Sequence, residues 1–295
     1  MTKTTPVTIK QCLLLAQDLQ DVSDTARLDV EVLLCEALNV SRSYLYTWPE
    51  KLLDHSAENN FYEFFSRRKH GEPIAYIVGK KEFWSREFIV NPSTLIPRAD
   101  TESLVEYVLS FFDDSLNEVQ DKRADDCKCI LDLGTGTGAL AITLALELKN
   151  IVVDAVDFSK EAVQLAQKNA FNLKADNVNV FVSDWFECVE RKKYDVIVSN
   201  PPYIDEKDPH LNQGDVRFEP LSALIAMDYG LGDIDQIARN AVQYLKSGAS
   251  LIVEHGFMQG EDVRRIFRDY GFTTVSTQKD LADRDRFTVG TYLSV

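Results

Sequence analysis

At 295 residues, 45% of them apolar, the chain has room for one large domain or two smaller ones, and its composition excludes disorder or a fibre. A formal charge of −15, from 47 acidic and 32 basic residues, argues against dependence on broad contact with nucleic-acid phosphates and leaves only a local basic face open. No apolar run approaches membrane-spanning length and the N-terminus lacks signal-peptide form, so the expectation is a soluble cytoplasmic protein with no membrane partner.

Cys12, Cys35, Cys127, Cys129 and Cys188 form no Cys-x-x-Cys pair and read as reduced thiols, and neither they nor the histidines have metal-ligand spacing. No metal is expected.

Thr8-Ile9-Lys10-Gln11 has capping-box spacing and predicts a first helix from about Ile9 to Gln20. Asp24 or Ser23 is placed to cap a second helix, in which Ala26, Val30, Leu33, Leu34, Ala37 and Leu38 recur at spacings of three and four. A short third starts near Ser41, and a fourth carries Phe61, Phe64 and Phe65, ends in Arg67-Arg68-Lys69 and stops at Gly71. The basic triplet suits either a helix end or a partner contact. These helices predict a small N-terminal bundle over residues 1–72. Residues 73–98, rich in aromatic and β-branched types and punctuated by Pro73, Pro92 and Pro97, predict an extended or hairpin connector. A third region, 99–295, opens with a helix around Leu104 to Phe112, and Asp113 to Asp126 is acidic enough to read as an exposed loop.

From Cys129 onward strands and helices alternate. Strand one, Ile130 to Leu133, leads into Gly134-Thr135-Gly136-Thr137-Gly138 and a helix through Leu148. Strand two ends at Asp157, with Ser159 capping the next helix, and strand three ends in Asp184-Trp185. Strand four, Tyr194 to Ser199, delivers Asn200-Pro201-Pro202-Tyr203. Strand five is Leu251 to Val253, after a helix closed by Gly248. A helix from about Glu261 to Tyr270 precedes two closing strands joined too tightly for a crossover, so one is antiparallel. This order predicts an α/β fold with a mostly parallel sheet and helices on both faces.

Ligands bind at the carboxyl edge of such a sheet. There, Asn200 to Tyr203 make a stiff, acceptor-rich corner, because two prolines remove two backbone donors and hold the chain extended. The Asn200 side-chain oxygen and the Pro201 carbonyl can each accept one N–H of a planar NH2 group while Tyr203 lies against its plane. An adenine, a cytosine and a carboxamide all carry such a group. The glycines at 134, 136 and 138 let backbone approach a ligand at a helix N-terminus. Asp157, nineteen residues after Gly138, is placed for the hydroxyls of a ribose, and Trp185 can face an adenine ring. A nicotinamide dinucleotide and S-adenosyl-L-methionine both fit a nucleoside held this way, since Gly134-x-Gly136-x-x-Ala139 satisfies the relaxed dinucleotide pattern. The amide-gripping corner favours the second, because hydride transfer has no use for it. Ile204 to Gly232 is longer than ordinary loops and is expected to close over the substrate or to pack on itself.

With these residues assembled, the chain resembles the PrmC/HemK family of protein-glutamine N5-methyltransferases. The likeness runs through Gly71-Glu72-Pro73-Ile74-Ala75-Tyr76, Glu82-Phe83-Trp84-Ser85, Thr94-Leu95-Ile96-Pro97-Arg98, Asp100-Thr101-Glu102, the glycine loop, the Asn200 corner, Arg217-Phe218-Glu219-Pro220 and Glu254-His255-Gly256. Two positions depart from it: Ala99, where Pro is usual, and Asp283, where Gly is common. The resemblance implies a seven-stranded Rossmann-like methyltransferase sheet behind a helical substrate-docking domain, with S-adenosyl-L-methionine as cofactor. It implies class I peptide-chain release factors as protein substrates, methylated on the glutamine of their Gly-Gly-Gln motif by a monomer with no direct nucleic-acid partner. Gly134, Thr135, Gly136, Thr137, Gly138, Asp157, Trp185 and Asn200 are similar to the family's cofactor contacts, and Asn200, Pro201, Pro202 and Tyr203 to its glutamine contacts. Asn200, Pro201 and Tyr203 are the catalytic candidates, and Asp184 matches a contact to the adenine amino group. The competing readings are a DNA adenine methyltransferase, which uses the same corner on an extruded base, and an inactive release-factor-binding adaptor.

Overall fold

The computed structural model describes residues 7–117 and 128–294. They form two compact units, Met1–Lys80 with Pro209–Phe218, and Lys81–Asp208 with Glu219–Val295. In the first, α1 (Ile9–Leu14) is capped by Thr8, whose side chain accepts from the Gln11 N–H in the expected capping box. The chain then tightens into a 3-10 turn, Leu15–Leu19, where the sequence predicted one continuous helix.

α2 (Ala26–Leu38), α3 (Arg42–Thr47), α4 (His55–Lys69) and the short α5 (Ile74–Val78) follow. Neither Asp24 nor Ser23 caps α2; the Ser23 hydroxyl instead accepts from the Thr25 N–H in a local turn. Leu33, Leu34, Leu45 and Phe61 are wholly buried at the centre of the bundle. The basic triplet at the end of α4 is engaged within this unit: Arg67 pairs with Glu72, and Arg68, 4% exposed, reaches Asp29 at 2.7 Å and Asp215 at 2.8 Å. Asp215 belongs to the segment Pro209–Phe218, which packs with the helices despite lying far along the chain.

The second unit opens with the hairpin β1 (Lys80–Phe83) and β2 (Arg86–Ile89), turned by Trp84 and Ser85, both at positive φ. Two left-handed residues in a two-residue loop are what the twist of paired strands requires. A 3-10 turn, Ala99–Thr101, leads into α6 (Glu102–Asn117), so the acidic stretch expected as a loop begins inside a helix, and the rest of it lies outside the described residues.

The sheet comprises β3 (Cys129–Leu133), β4 (Val152–Asp157), β5 (Val178–Val182), β6 (Tyr194–Ser199), β7 (Leu245–Glu254), β8 (Phe272–Lys279) and β9 (Asp285–Tyr292). Their order is β5-β4-β3-β6-β7-β9-β8, and β9 runs opposite in direction to the other six, as the tight final connection requires. Alternate residues face opposite layers. Ile130, Val196 and Val198 pack with α6 and α7 (Ala139–Glu147), while Leu131, Ile197 and Leu251 pack with α10 (Gly232–Ala241), which follows the one-turn α9 (Met227–Gly230), and with α11 (Gly260–Asp269). One further expectation is corrected here. Gly248 closes no helix: α10 ends at Ala241, and Gly248, at φ 85, sits inside β7 where the pairing with β6 changes register, a bulge that glycine tolerates. Asp283, at the position where glycine is common, has φ 60, a left-handed conformation that aspartate tolerates better than most side chains.

Candidate functional site

Strand order reverses between β3 and β6, the switch point at which parallel sheets open a crevice beyond their carboxyl ends. A cavity of about 710 Å³ occupies it, lined at the sheet edge by Gly134, Asp157, Trp185 and Asn200.

On β3, Asp132 is 1% exposed and accepts from the Thr135 hydroxyl at 2.6 Å, which pins the start of the glycine loop. The loop's next two turns of support come from β4. The Gly134 and Thr135 N–H groups both donate to the Val156 carbonyl at 2.9 Å, and the Asp157 carboxylate accepts from the Gly136 and Ser159 N–H groups, each at 2.9 Å. Burial pushes Asp157 upward against those two bonds, and it pushes Asp132 up to about 7, with the Thr135 bond opposing and the Asp157 charge reinforcing. Asp132 lines the cavity and was not singled out in the sequence, because a carboxylate inside a buried strand reads as an ordinary strand residue.

Gly134, Thr135, Gly136 and Thr137 line the cavity; Gly138 does not. A Cβ at Gly138 would lie 2.6 Å from Ile142 Cδ1 and 3.1 Å from Ala166 Cβ, so this glycine lets α7 close against α8 (Lys160–Leu173) and start at the loop. Asn169 on α8 buttresses the same loop, donating from its Nδ2 to the Thr137 and Ile89 carbonyls. No local pattern announces that contact.

Trp185 has φ 43, costly for an aromatic residue, and a Ser183 turn holds it there: the Ser183 hydroxyl donates to the Trp185 carbonyl and accepts from the Cys188 N–H, both at 2.9 Å. This backbone sends the indole across Gly134, where a Cβ would meet its Cζ3 at 3.5 Å. Asp184 also faces the cavity, opposite Asp233 at the start of α10; burial first, then the Asp184 charge, raises Asp233.

At the end of β6 the Ser199 hydroxyl donates to the Leu133 carbonyl at 2.7 Å, locking the two strand ends that flank the crevice. Asn200 follows. Its Nδ2 donates to Thr101 Oγ1 at 3.3 Å, while its Oδ1 is buried with no hydrogen-bond partner among the described residues. Such an atom is rare, and it suits a missing N–H donor. Pro202 lines the cavity beside it, and Pro201 is buried. Tyr203 does not line the cavity: its hydroxyl approaches Glu254 Oε1 at 3.4 Å, and its carbonyl accepts from Gln259 Nε2 at 3.0 Å, which fixes the backbone of the corner from behind.

The opposite wall is the stretch from Ser93 to Arg98, anchored by Glu219, which accepts from the Ile96 N–H at 3.1 Å and pairs with Arg98. The segment from Ile204 to Gly232 is closed at its base by a bridge from Ile204 to Ile225. Within it Ser222 and Ala223 reach the cavity, while Asp215 and Arg217 pack in the helical unit.

An orphaned acceptor, a carboxylate held by backbone donors, an indole over a glycine and a crevice between strand ends together fit an adenosyl cofactor bearing a transferable group. Comparison with known proteins agrees. Residues 14–79 match the PrmC N-terminal domain and residues 116–216 the Methyltransferase small domain. Among solved structures, the hMettl16 catalytic domain in complex with the MAT2A 3'UTR hairpin 6 has a TM-score of 0.53 at 14% identity, covering 70% of this chain and 76% of that one, a likeness of fold alone. The release factor glutamine methyltransferases of Shewanella oneidensis and Escherichia coli are 48% and 44% identical, each over 92% of this chain and 92% and 94% of their own. That of Pseudomonas aeruginosa is 45% identical over 95% of this chain and 97% of its own length. At that identity across nearly its whole length, the chain belongs to the family of release factor glutamine methyltransferases.

Proposed function

We propose that this chain methylates the side-chain amide nitrogen of the glutamine in the Gly-Gly-Gln motif of class I peptide-chain release factors. The observation that carries the reading is the buried, unpartnered Asn200 Oδ1 beside two prolines at the rim of the cavity. S-adenosyl-L-methionine supplies the methyl group as a sulfonium when bound. Gly134 to Thr137 would hold it by backbone approach, Gly138 sets the helix that starts at the loop, Asp157 would take the ribose hydroxyls and Trp185 would face the adenine, with Asp184 a candidate acceptor for its amino group.

An amide nitrogen is a weak nucleophile because its lone pair is shared with the carbonyl. Asn200 Oδ1 and the Pro201 carbonyl each accept one N–H of the glutamine NH2, which orients the lone pair and stabilises positive charge growing on nitrogen. Pro202 keeps the corner extended, and Tyr203, held at its hydroxyl and its carbonyl, fixes the corner's position relative to the cavity. The methylated amide is acidic enough to lose its proton to water, so no side chain is assigned as general base. The helical unit and the connector serve release-factor docking, and the −15 charge supports a protein partner over a nucleic-acid one for a chain acting as a monomer.

Incubation with methyl-labelled cofactor and either a release factor or DNA tests this. Label on the release factor, lost when its motif glutamine is replaced, is the expected result. Label on DNA alone, or on neither, would overturn it.

A further inference from the structure

We propose that Thr101 and Glu254 are positioning residues that decide which end of the Asn200 carboxamide faces the substrate. The inference rests on the role given to Asn200 above and explains how its oxygen, and not its NH2, comes to be presented.

Three hydrogen bonds form a directional chain: Asn200 Nδ2 donates to Thr101 Oγ1 at 3.3 Å, Thr101 Oγ1 donates to Glu254 Oε2 at 2.8 Å, and Tyr203 Oη donates to Glu254 Oε1 at 3.4 Å. Its centre is inside the protein, with Thr101 6% and Glu254 1% exposed, while Asn200 and Tyr203 are half-buried. An ionised carboxylate only accepts, and a threonine hydroxyl has a single proton. With that proton committed to Glu254, Thr101 offers Asn200 nothing but lone pairs. The amide then has one favourable orientation, Nδ2 toward Thr101 and Oδ1 away from it, because the reverse sets two lone-pair oxygens against each other. A symmetric environment would leave the two ends of an asparagine nearly interchangeable; the carboxylate at 254 removes that ambiguity from two hydrogen bonds beyond Asn200.

Neutralising residue 254 reverses the logic. A carboxylic acid or a carboxamide there can donate to Thr101 Oγ1, releasing the threonine proton to point at Asn200. Oδ1 can then turn inward to accept it, and the NH2 of Asn200 would face the NH2 of the glutamine, donor against donor. Glu254 is balanced for such a change: burial raises it to about 7, opposed by the Thr101 bond and by Arg286 on β9, reinforced by Asp100 in the turn before α6, and opposed again by the Tyr203 hydroxyl. Tyr203 itself is driven upward, by burial first and then the Glu254 charge, and so stays a neutral donor.

The test compares Thr101→Val, Thr101→Ser, Glu254→Gln and Asn200→Ala, reading kcat and KM for a Gly-Gly-Gln peptide, the pH dependence of kcat, and affinity for S-adenosylhomocysteine by calorimetry. Thr101→Val and Glu254→Gln should lower kcat by about tenfold or more, the scale of one net hydrogen bond. In Glu254→Gln, whose side chain does not line the cavity, S-adenosylhomocysteine affinity should stay within about twofold, the residual expected when no cofactor contact changes. Thr101→Ser should restore kcat. The wild-type acid limb near neutrality should vanish in Glu254→Gln. A Thr101→Val variant that binds S-adenosylhomocysteine and turns over normally, or a Glu254→Gln variant with the wild-type kcat and acid limb, would overturn the proposal while an inactive Asn200→Ala left the role of Asn200 standing. An active Asn200→Ala would overturn that role itself, so the two failures are distinguishable. If Thr101→Val does not fold, Thr101→Ser and Glu254→Gln decide the outcome, since each conserves the size and polarity of the buried group.

Discussion

Replacing Asn200 by alanine removes two things whose energies differ. The first is Oδ1, which has no partner among the described residues and so contributes nothing to the resting fold. Its loss should appear in turnover, by about 10²-fold or more, as when one preorganised polar group is taken from a developing charge, equivalent to about 2.7 kcal/mol or more. The second is the bond from Nδ2 to Thr101 Oγ1, long at 3.3 Å. Thr101 keeps its own donation to Glu254, so only a hydroxyl lone pair is left unmet, and unfolding free energy should fall by about 1 kcal/mol. The signature is a severe kinetic defect in a protein of nearly normal stability that still binds S-adenosylhomocysteine through Asp157 and the glycine loop. Single-turnover transfer of labelled methyl to a release factor, run beside urea denaturation, measures both. Turnover within a few-fold of wild type, or a loss of activity matched by wholesale unfolding, would refute the assignment.

Trp185→Ala should weaken S-adenosylhomocysteine binding by about 1–3 kcal/mol, the range for a base losing its aromatic platform, read by calorimetry. Gly138→Ala places a Cβ 2.6 Å from Ile142 Cδ1 on a backbone at φ 81, and should cost about 1–3 kcal/mol in thermal or chemical denaturation. Asp132, raised from 3.8 to about 7 chiefly by burial, retains its proton longer in the folded chain than in the unfolded one. Its contribution to stability is therefore full below pH 3.8 and is lost as pH rises through about 7. The stability of wild type relative to Asp132→Asn should fall across that window, and a pH-independent difference would contradict the assigned burial.

Much of the catalytic unit was legible because its signals are local. Strand ends carry Gly134, Asp157, Trp185 and Asn200, and a parallel sheet brings all strand ends to one edge, so their meeting followed from alternation alone. The Thr8 and Ser159 caps were readable for the same reason, a side chain acting within three residues. What sequence could not supply was long-range. Thr101 and Glu254 stand 153 positions apart and meet only because the turn that leads into α6 lies against the carboxyl end of β7. Pro209–Phe218 packs with helices that precede it by more than a hundred residues, held by the buried Arg68 that the sequence left between a helix end and a partner contact. Gly248 misled because a glycine after an amphipathic run signals a helix stop, whereas here its left-handed φ serves a bulge in a strand that begins earlier. The Trp84-Ser85 turn carries none of the usual Asn-Gly or Asp-Gly signal, since the flanking pairing, and not the turn residues, enforces its geometry.

A crystal structure of the complex with S-adenosylhomocysteine and a Gly-Gly-Gln peptide is the most direct measurement of the corner's role. The peptide carboxamide nitrogen should lie about 3 Å from Asn200 Oδ1, with the sulfur on the same rim of the sheet and in line with that nitrogen. A sulfur on the far rim, or a carboxamide held by other groups while Asn200 Oδ1 stays unpaired, would contradict it.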